Sequence, residues 1–271
     1  MTHLRWWLVM LAVALSPMLR AEAADQRNKE LKRIELSIDG INRESLVYVP
    51  DNAKKAPMPT VFVFHGHGGT MRNAERSFEI EKYWPEAIVA YPQGLKTPGQ
   101  ITDPEGNRAG WQALAGNQND RDLKFFDALL AKLKSDYQVD AKRIYATGHS
   151  NGGGFTYLLW AQRGEVLTAV APSSAAARFA ITLKPKPAFI IGGENDPLVK
   201  FAWQKATIEA VKQVNGCESD GKSGDKLCTI YPSKIGAPLV TLIHPGGHEF
   251  SRTAPELIVK FFQSLPLAKT D

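Results

Sequence analysis

The pentapeptide Gly148-His149-Ser150-Asn151-Gly152 has the form G-x-S-x-G, a hydroxyl flanked by small residues. Such a spacing lets the chain turn sharply from a strand into a helix and leaves the serine oxygen exposed for attack on a carbonyl. The surroundings fit, because the apolar run 144–146 precedes it and a helical pattern begins near Gly153. Glycines ease the tight turn, and a helix N-terminus behind the serine favours developing negative charge. The plainer reading, a Ser capping a helix after a Gly turn, explains the pentapeptide but not the strand before it.

A serine hydroxyl needs a base, and the base needs an orienting acid. Asp196 lies in Gly193-Glu194-Asn195-Asp196-Pro197 after the apolar run 188–191, and His248 lies in Pro245-Gly246-Gly247-His248 after the run 239–243. Glu194 and His244 compete for the same roles. Asp196 sits farther out on its loop and Gly247 gives His248 a flexible approach, so Ser150, Asp196 and His248 are the catalytic candidates, in the order Ser, Asp, His. After the run 61–64 comes His65-Gly66-His67-Gly68-Gly69-Thr70. An N–H of His67 or Gly68, paired with that of Asn151, could hold an oxyanion; a plain Gly turn is the alternative. No metal is expected, since His-x-His has no further ligands close by.

Two other signals point elsewhere. Residues 216–223 satisfy G-x-x-x-x-G-K-[ST], but they follow a helix and precede Gly224-Asp225-Lys226, so the phosphate-loop match is read as coincidence. Cys217 and Cys228 flank a Gly- and Ser-rich stretch and are expected to form a disulfide if the chain is exported.

The elements needed to position these groups follow from the apolar pattern. Runs 31–38 and 45–49 around Asp39-Gly40 predict an antiparallel hairpin. Short continuous apolar runs at 61–64, 87–90, 144–146, 169–171, 188–191 and 239–243 suit strands buried on both faces. Between them, Asp122 is expected to cap a helix with Phe126, Leu129, Leu130 and Leu133 on one face; Phe155, Leu158 and Leu159 mark a second; 201–214 and 255–262 complete the set. Together these predict an α/β fold with eight strands, mostly parallel, and helices on both faces. The stretch 91–121, rich in Pro and Gly without periodicity, is a long loop of the kind that serves function.

Taken together, Phe64-His65-Gly66-His67-Gly68-Gly69, Tyr91-Pro92-Gln93-Gly94, Gly110-Trp111, the segment 140–153, the Asp196 loop and Gly246-Gly247-His248 resemble secreted α/β-hydrolase esterases of the poly(3-hydroxybutyrate) depolymerase, feruloyl esterase and acetylxylan esterase family. The resemblance spans about residues 31–262. It implies Ser150 as nucleophile, His248 as general acid/base, Asp196 as its partner, oxyanion donors at Asn151 and near His67, and no cofactor. It makes His65, Trp111 and His149 candidates for substrate contact, with core packing the alternative for Trp111.

Composition narrows the class further. With 271 residues, 44% hydrophobic and 23% charged, the chain is too apolar for disorder. Its net charge of +5 comes without a run of like charges, so no nucleic-acid partner is expected. Arg5, the apolar stretch 6–15, Ser16-Pro17 and Ala21-Glu22-Ala23 read as a signal peptide over residues 1–23, followed by a single catalytic domain over 24–271. A secreted or periplasmic location follows, with no stable membrane insertion after cleavage. The expected activity is hydrolysis of short-chain, acetyl or feruloyl esters of plant-wall saccharides, with a small or oligomeric ester as partner. Hydroxyalkanoate depolymerisation, a serine peptidase of prolyl-oligopeptidase type and a noncatalytic binding protein are the alternatives; lack of room for a polymer-binding domain counts against the first and lack of a propeller against the second.

Overall fold

Asp39 and Gly40 both take positive φ, 51° and 75°, and close a two-residue turn whose twist matches the strands it joins. β1 (Lys32–Ile38) and β2 (Ile41–Tyr48) therefore pair antiparallel, with Ile38 opposite Ile41. The computed structural model describes residues 31–99 and 101–266, so the expected signal peptide lies outside the described residues. After the hairpin come β3 (Met58–Phe64) and β4 (Ile88–Pro92). The short β5 (Leu95–Lys96) and β6 (Ala109–Gly110) pair only with each other. Next are β7 (Val139–His149), β8 (Ala169–Ser173) and β9 (Ala188–Gly193), then β10 (Lys222–Ser223), β11 (Cys228–Tyr231) and β12 (Leu239–His244).

All six predicted buried runs are strands, and they form the parallel centre of the sheet in the order β4-β3-β7-β8-β9-β12. The hairpin joins antiparallel beside β4. The sheet has ten strands rather than eight, because β11 and β10 extend it antiparallel beyond β12. β10 falls within the Gly- and Ser-rich stretch and β11 just beyond it, and at two and four residues they are too short for a periodic signal.

Helices cover both faces. α1 (Met71–Phe78) and α2 (Ile80–Tyr83) were not read from the sequence; Thr70 starts α1 with a reciprocal capping box to Asn73, and only Met71, Ala74 and Phe78 face inward. α3 (Arg121–Asp136), α4 (Asn151–Arg163), α5 (Phe201–Val214) and α6 (Ala254–Ser264) occupy the predicted places. Alternation along β3 divides the core. Phe62 and Phe64 pack with Phe126, Leu129, Phe155, Leu158 and Val211 from α3, α4 and α5, whereas Val61 and Val63 pack with Met71, Phe78, Ile258 and Phe262 from α1 and α6.

Two expectations need correction. Asp122 is not a cap: Asp120 occupies that position, and Asp122 is buried inside the first turn of α3. Its carboxylate accepts from Arg43 Nη2 at 2.8 Å and from the Gln112 N–H at 2.8 Å, which compensates burial and fastens the 91–121 segment to β2 and α3. Cys217 and Cys228 are free thiols rather than a disulfide. Cys217, in the turn that follows α5, packs against the core on the α3–α5 face, whereas Cys228, the first residue of β11, is buried in the core on the α1/α6 face, so the two thiols belong to different core layers. No helix among the described residues is long and apolar enough to cross a membrane.

Candidate active site

Ser150 stands between the last residue of β7 and the first of α4 with φ 57° and ψ −120°, a strained conformation for a residue with a Cβ. The surrounding bonds hold it there: Ser150 N–H donates to the Ser173 carbonyl at 2.9 Å, and its own carbonyl accepts from the Gly154 N–H at 2.9 Å. The flanking glycines are needed for space. A Cβ on Gly152 would lie 2.2 Å from the Phe64 carbonyl oxygen, and one on Gly148 would lie 2.5 Å from that of Gly152. This is the strand-turn-helix geometry that the pentapeptide anticipates.

The loops after β9 and β12 carry the other two candidates to the serine. His248 Nε2 lies 2.7 Å from Ser150 Oγ, and His248 Nδ1 lies 2.8 Å from Asp196 Oδ2. Asp196 is fixed by further donors: its Oδ1 accepts from the N–H groups of Leu198 and Val199, both at 2.9 Å, and its Oδ2 also accepts from Gln204 Nε2 at 3.0 Å. Gln204 is fully buried and donates to the Val199 carbonyl as well, at 2.6 Å. It escaped the sequence reading because nothing about a Gln in a helix marks it as holding a distant carboxylate. The rivals are placed elsewhere. Glu194 is exposed, and His244 Nδ1 accepts from the Gly246 N–H at 3.2 Å.

Of the two N–H groups considered after β3, that of Gly68 is already committed to the Ala109 carbonyl at 2.7 Å, which removes Gly68 as an oxyanion donor. The pair left is His67 and Asn151, both of which border the cavity beside Ser150. The Asn151 side chain is locked to Trp111, accepting from its N–H at 2.7 Å and donating to its carbonyl at 3.1 Å. His67 Nε2 donates to Asp103 Oδ2 at 2.9 Å. That hydrogen bond, with the N–H groups of Arg108 and Asn107, holds the Asp103 carboxyl down at about 2.

The three residues expected to touch substrate lie behind the site instead. His65 is buried; its Nδ1 donates to the Gly66 carbonyl at 2.8 Å and its Nε2 accepts from the Gly94 N–H at 2.9 Å. Burial pushes its pKa down to about 4, so it is a neutral brace between the β3 and β4 loops. Trp111 is 1% exposed, donates through Nε1 to the His65 carbonyl at 2.9 Å and stacks on Phe155: an indole with an apolar neighbour and a bonded N–H is core, not cleft wall. His149 packs its ring against His248 with centroids 5.1 Å apart, and burial followed by the His248 charge lowers its pKa to about 4.

What does border Ser150 and His248 is a cavity of about 770 Å³. One wall comes from the 91–121 segment, through Pro98, Ile101, Thr102 and Leu114; the other comes from 175–181, Leu198, Val199 and α5. Leu198, Trp203 and Ile181 on that second wall were missed. A signal existed for Trp203: α5 buries Gln204, Thr207, Ile208 and Val211, so an indole at 203 falls off the packed face. It is 48% exposed. Among the described residues, no group of three or more His, Cys, Asp or Glu side chains could hold a metal ion.

A hydroxyl, an imidazole and a buried carboxylate in this chain of hydrogen bonds can perform nucleophilic acyl transfer. The comparisons agree with a hydrolase. Residues 44–217 match the Dienelactone hydrolase family. The probable feruloyl esterase C of Aspergillus niger is 28% identical over 238 residues, covering 82% of this chain and 84% of that protein. Feruloyl esterase C of Emericella nidulans is 27% identical over 245 residues, covering 83% and 87%. Among solved structures, the acetyl xylan esterase from Aspergillus awamori superposes with a TM-score of 0.64 at 14% identity, over 86% of this chain and 99% of that one, and so shares the α/β-hydrolase fold. The chain belongs to the dienelactone hydrolase family and is a carboxylic-ester hydrolase.

Proposed function

We propose that this chain is an exported serine esterase that works through an acyl-enzyme on short-chain or hydroxycinnamoyl esters of plant-wall saccharides. The observation that carries the reading is the continuous chain Ser150 Oγ, His248, Asp196, with contacts of 2.7 and 2.8 Å, at the edge of a mostly apolar cavity. Nδ1–H of His248 donates to Asp196, which leaves Nε2 as the acceptor facing the serine. His248 takes the hydroxyl proton as Ser150 Oγ bonds to the ester carbon. The oxyanion is held by the N–H groups of Asn151 and His67, each worth about 3 kcal/mol in the transition state. Asp196 stabilises the imidazolium. Its proton passes to the departing alcohol, and a water deprotonated by the same Nε2 then releases the acid and restores Ser150.

The choice of ester rests on the named relatives and on the cavity. A flat hydroxycinnamoyl group fits a space bounded by Trp203, Leu198 and Ile181, and a smaller acetyl group occupies less of it. Export rests on the signal-peptide pattern in residues 1–23, with 24–271 as a single catalytic domain. The test is turnover of methyl ferulate, p-nitrophenyl acetate and 3-hydroxybutyrate oligomers by one preparation and by its Ser150→Ala variant. The proposal expects the first two to be hydrolysed and the variant to be inactive. Loss of neither activity in the variant rejects the mechanism; exclusive hydrolysis of hydroxybutyrate oligomers rejects the substrate class.

A further inference from the structure

The cavity beside Ser150 is apolar apart from its catalytic end and a few hydroxyl groups, with one exception. Among the described residues, Arg178 is the only Asp, Glu, Lys or Arg on its lining. It is exposed, and among the described residues it makes no ion pair or hydrogen bond. Its backbone, by contrast, is well placed. The segment leaves β8 at Ser173, whose carbonyl receives the Ser150 N–H, and the neighbouring Ala177 N–H donates to Thr207 Oγ1 of α5 at 3.0 Å. Ala175 lies against the first turn of α4, where a Cβ on Gly153 would come within 2.9 Å of it. An anchored segment thus places Arg178, exposed and without an ion-pair or hydrogen-bond partner among the described residues, on the lining of the cavity that holds the serine.

The apolar surface next to it is equally specific in position. Ile181 is 53% exposed, Trp203 48% and Leu198 38%, and all three line the same wall as Arg178. Large apolar side chains left in water around a cavity mark a ligand surface. A guanidinium selects a carboxylate, which it binds through two parallel N–H bonds.

We infer that Arg178 is a specificity residue for esters that carry a carboxylate, the apolar body of the substrate lying on Trp203, Leu198 and Ile181 and its anionic group reaching Arg178. This rests on the serine-esterase reading above and narrows it from neutral esters to acidic ones. The carboxylate could belong to either side of the scissile bond: to an acidic sugar on the alcohol, or to the acyl group.

Two matched pairs separate these sources. Phenyl acetate against 4-acetoxybenzoate places the charge on the alcohol, and methyl cinnamate against methyl 4-carboxycinnamate places it on the acyl group. The readout is the ratio of kcat/KM for the charged and neutral member of each pair in wild type, Arg178→Ala, Arg178→Lys and Arg178→Glu. In at least one pair the ratio should fall about tenfold in Arg178→Ala, recover in part in Arg178→Lys, fall further in Arg178→Glu, and decline with added salt only where residue 178 is cationic. The pair that responds identifies the side. Ratios unchanged by all three substitutions in both pairs overturn the inference while Ser150-dependent hydrolysis of the neutral esters keeps the esterase reading. Failure to hydrolyse any of the four esters in a Ser150-dependent way overturns both.

Discussion

Replacing Asp196 by Asn tests the hydrogen-bond logic of the site at a single atom. In the structure Oδ1 accepts from two backbone N–H groups, of Leu198 and Val199, while Oδ2 faces Gln204 Nε2 and His248 Nδ1. An asparagine has one acceptor to place. Setting its amide nitrogen toward Leu198 and Val199 opposes two donors that cannot move; setting it toward Gln204 opposes one donor. The second orientation therefore wins, and it aims an N–H at His248 Nδ1. The imidazole must then carry its proton on Nε2, facing Ser150, where it cannot accept the hydroxyl proton. A wrong tautomer of this kind costs about 10⁴ in turnover, or about 5 kcal/mol of transition-state stabilisation. The assay is kcat on p-nitrophenyl acetate at pH 7 to 8, with thermal denaturation to show that the variant is folded. A folded Asp196→Asn protein that loses less than tenfold would refute the assigned orientation, and retention by Asp196→Asn with loss in Glu194→Gln would move the acid to Glu194.

Other perturbations probe the scaffold. Asp122→Ala leaves Arg43 buried without its carboxylate and should lower unfolding free energy in urea by about 3–5 kcal/mol, whereas Arg43→Met with Asp122→Leu should lose much less. Ser150→Gly should raise stability by about 1 kcal/mol, because relief of about 1–3 kcal/mol of backbone strain exceeds the added flexibility of the unfolded chain. Gly152→Ala should abolish turnover and lower Tm, since its Cβ has no room beside the Phe64 carbonyl. For His65 and His149 the folded pKa of about 4 lies below the usual 6.5, so the unfolded chain binds protons that the folded one does not. Stability should accordingly fall as pH drops from about 6.5 to about 4, and His65→Gln should flatten that slope in urea titrations at successive pH values.

The parts legible in the sequence were those written as continuous apolar runs and as local turns. Six strands at 61–64, 87–90, 144–146, 169–171, 188–191 and 239–243 became the parallel centre of the sheet, and Asp39-Gly40 became its hairpin turn. What was hidden depends on contacts made across the sequence. The edge strands β10 and β11 are too short to declare themselves, and Asp122 looks like a helix cap until Arg43, 79 residues away, is found beside it. The same holds at the site. His65, Trp111 and His149 border the right segments, but their side chains turn inward to bond His65 and Gly66 carbonyls or pack on His248, while the cavity is walled by Ile181, Leu198 and Trp203 from segments without any motif. Gly68 was an equal oxyanion candidate with His67 until its N–H met the Ala109 carbonyl. The cysteine pair failed for a comparable reason, since spacing says nothing about which core layer each thiol joins: Cys217 packs on one face of the sheet and Cys228, at the start of β11, on the other.

The central claim is that Ser150 becomes covalently acylated. Acid quenching of a reaction with methyl ferulate, followed by peptide mass analysis, reads this directly. The account predicts a feruloyl adduct on the peptide containing Ser150, enriched in a variant slowed in deacylation and absent from Ser150→Ala. Steady hydrolysis with no adduct on that peptide, and undiminished turnover by Ser150→Ala, would contradict it.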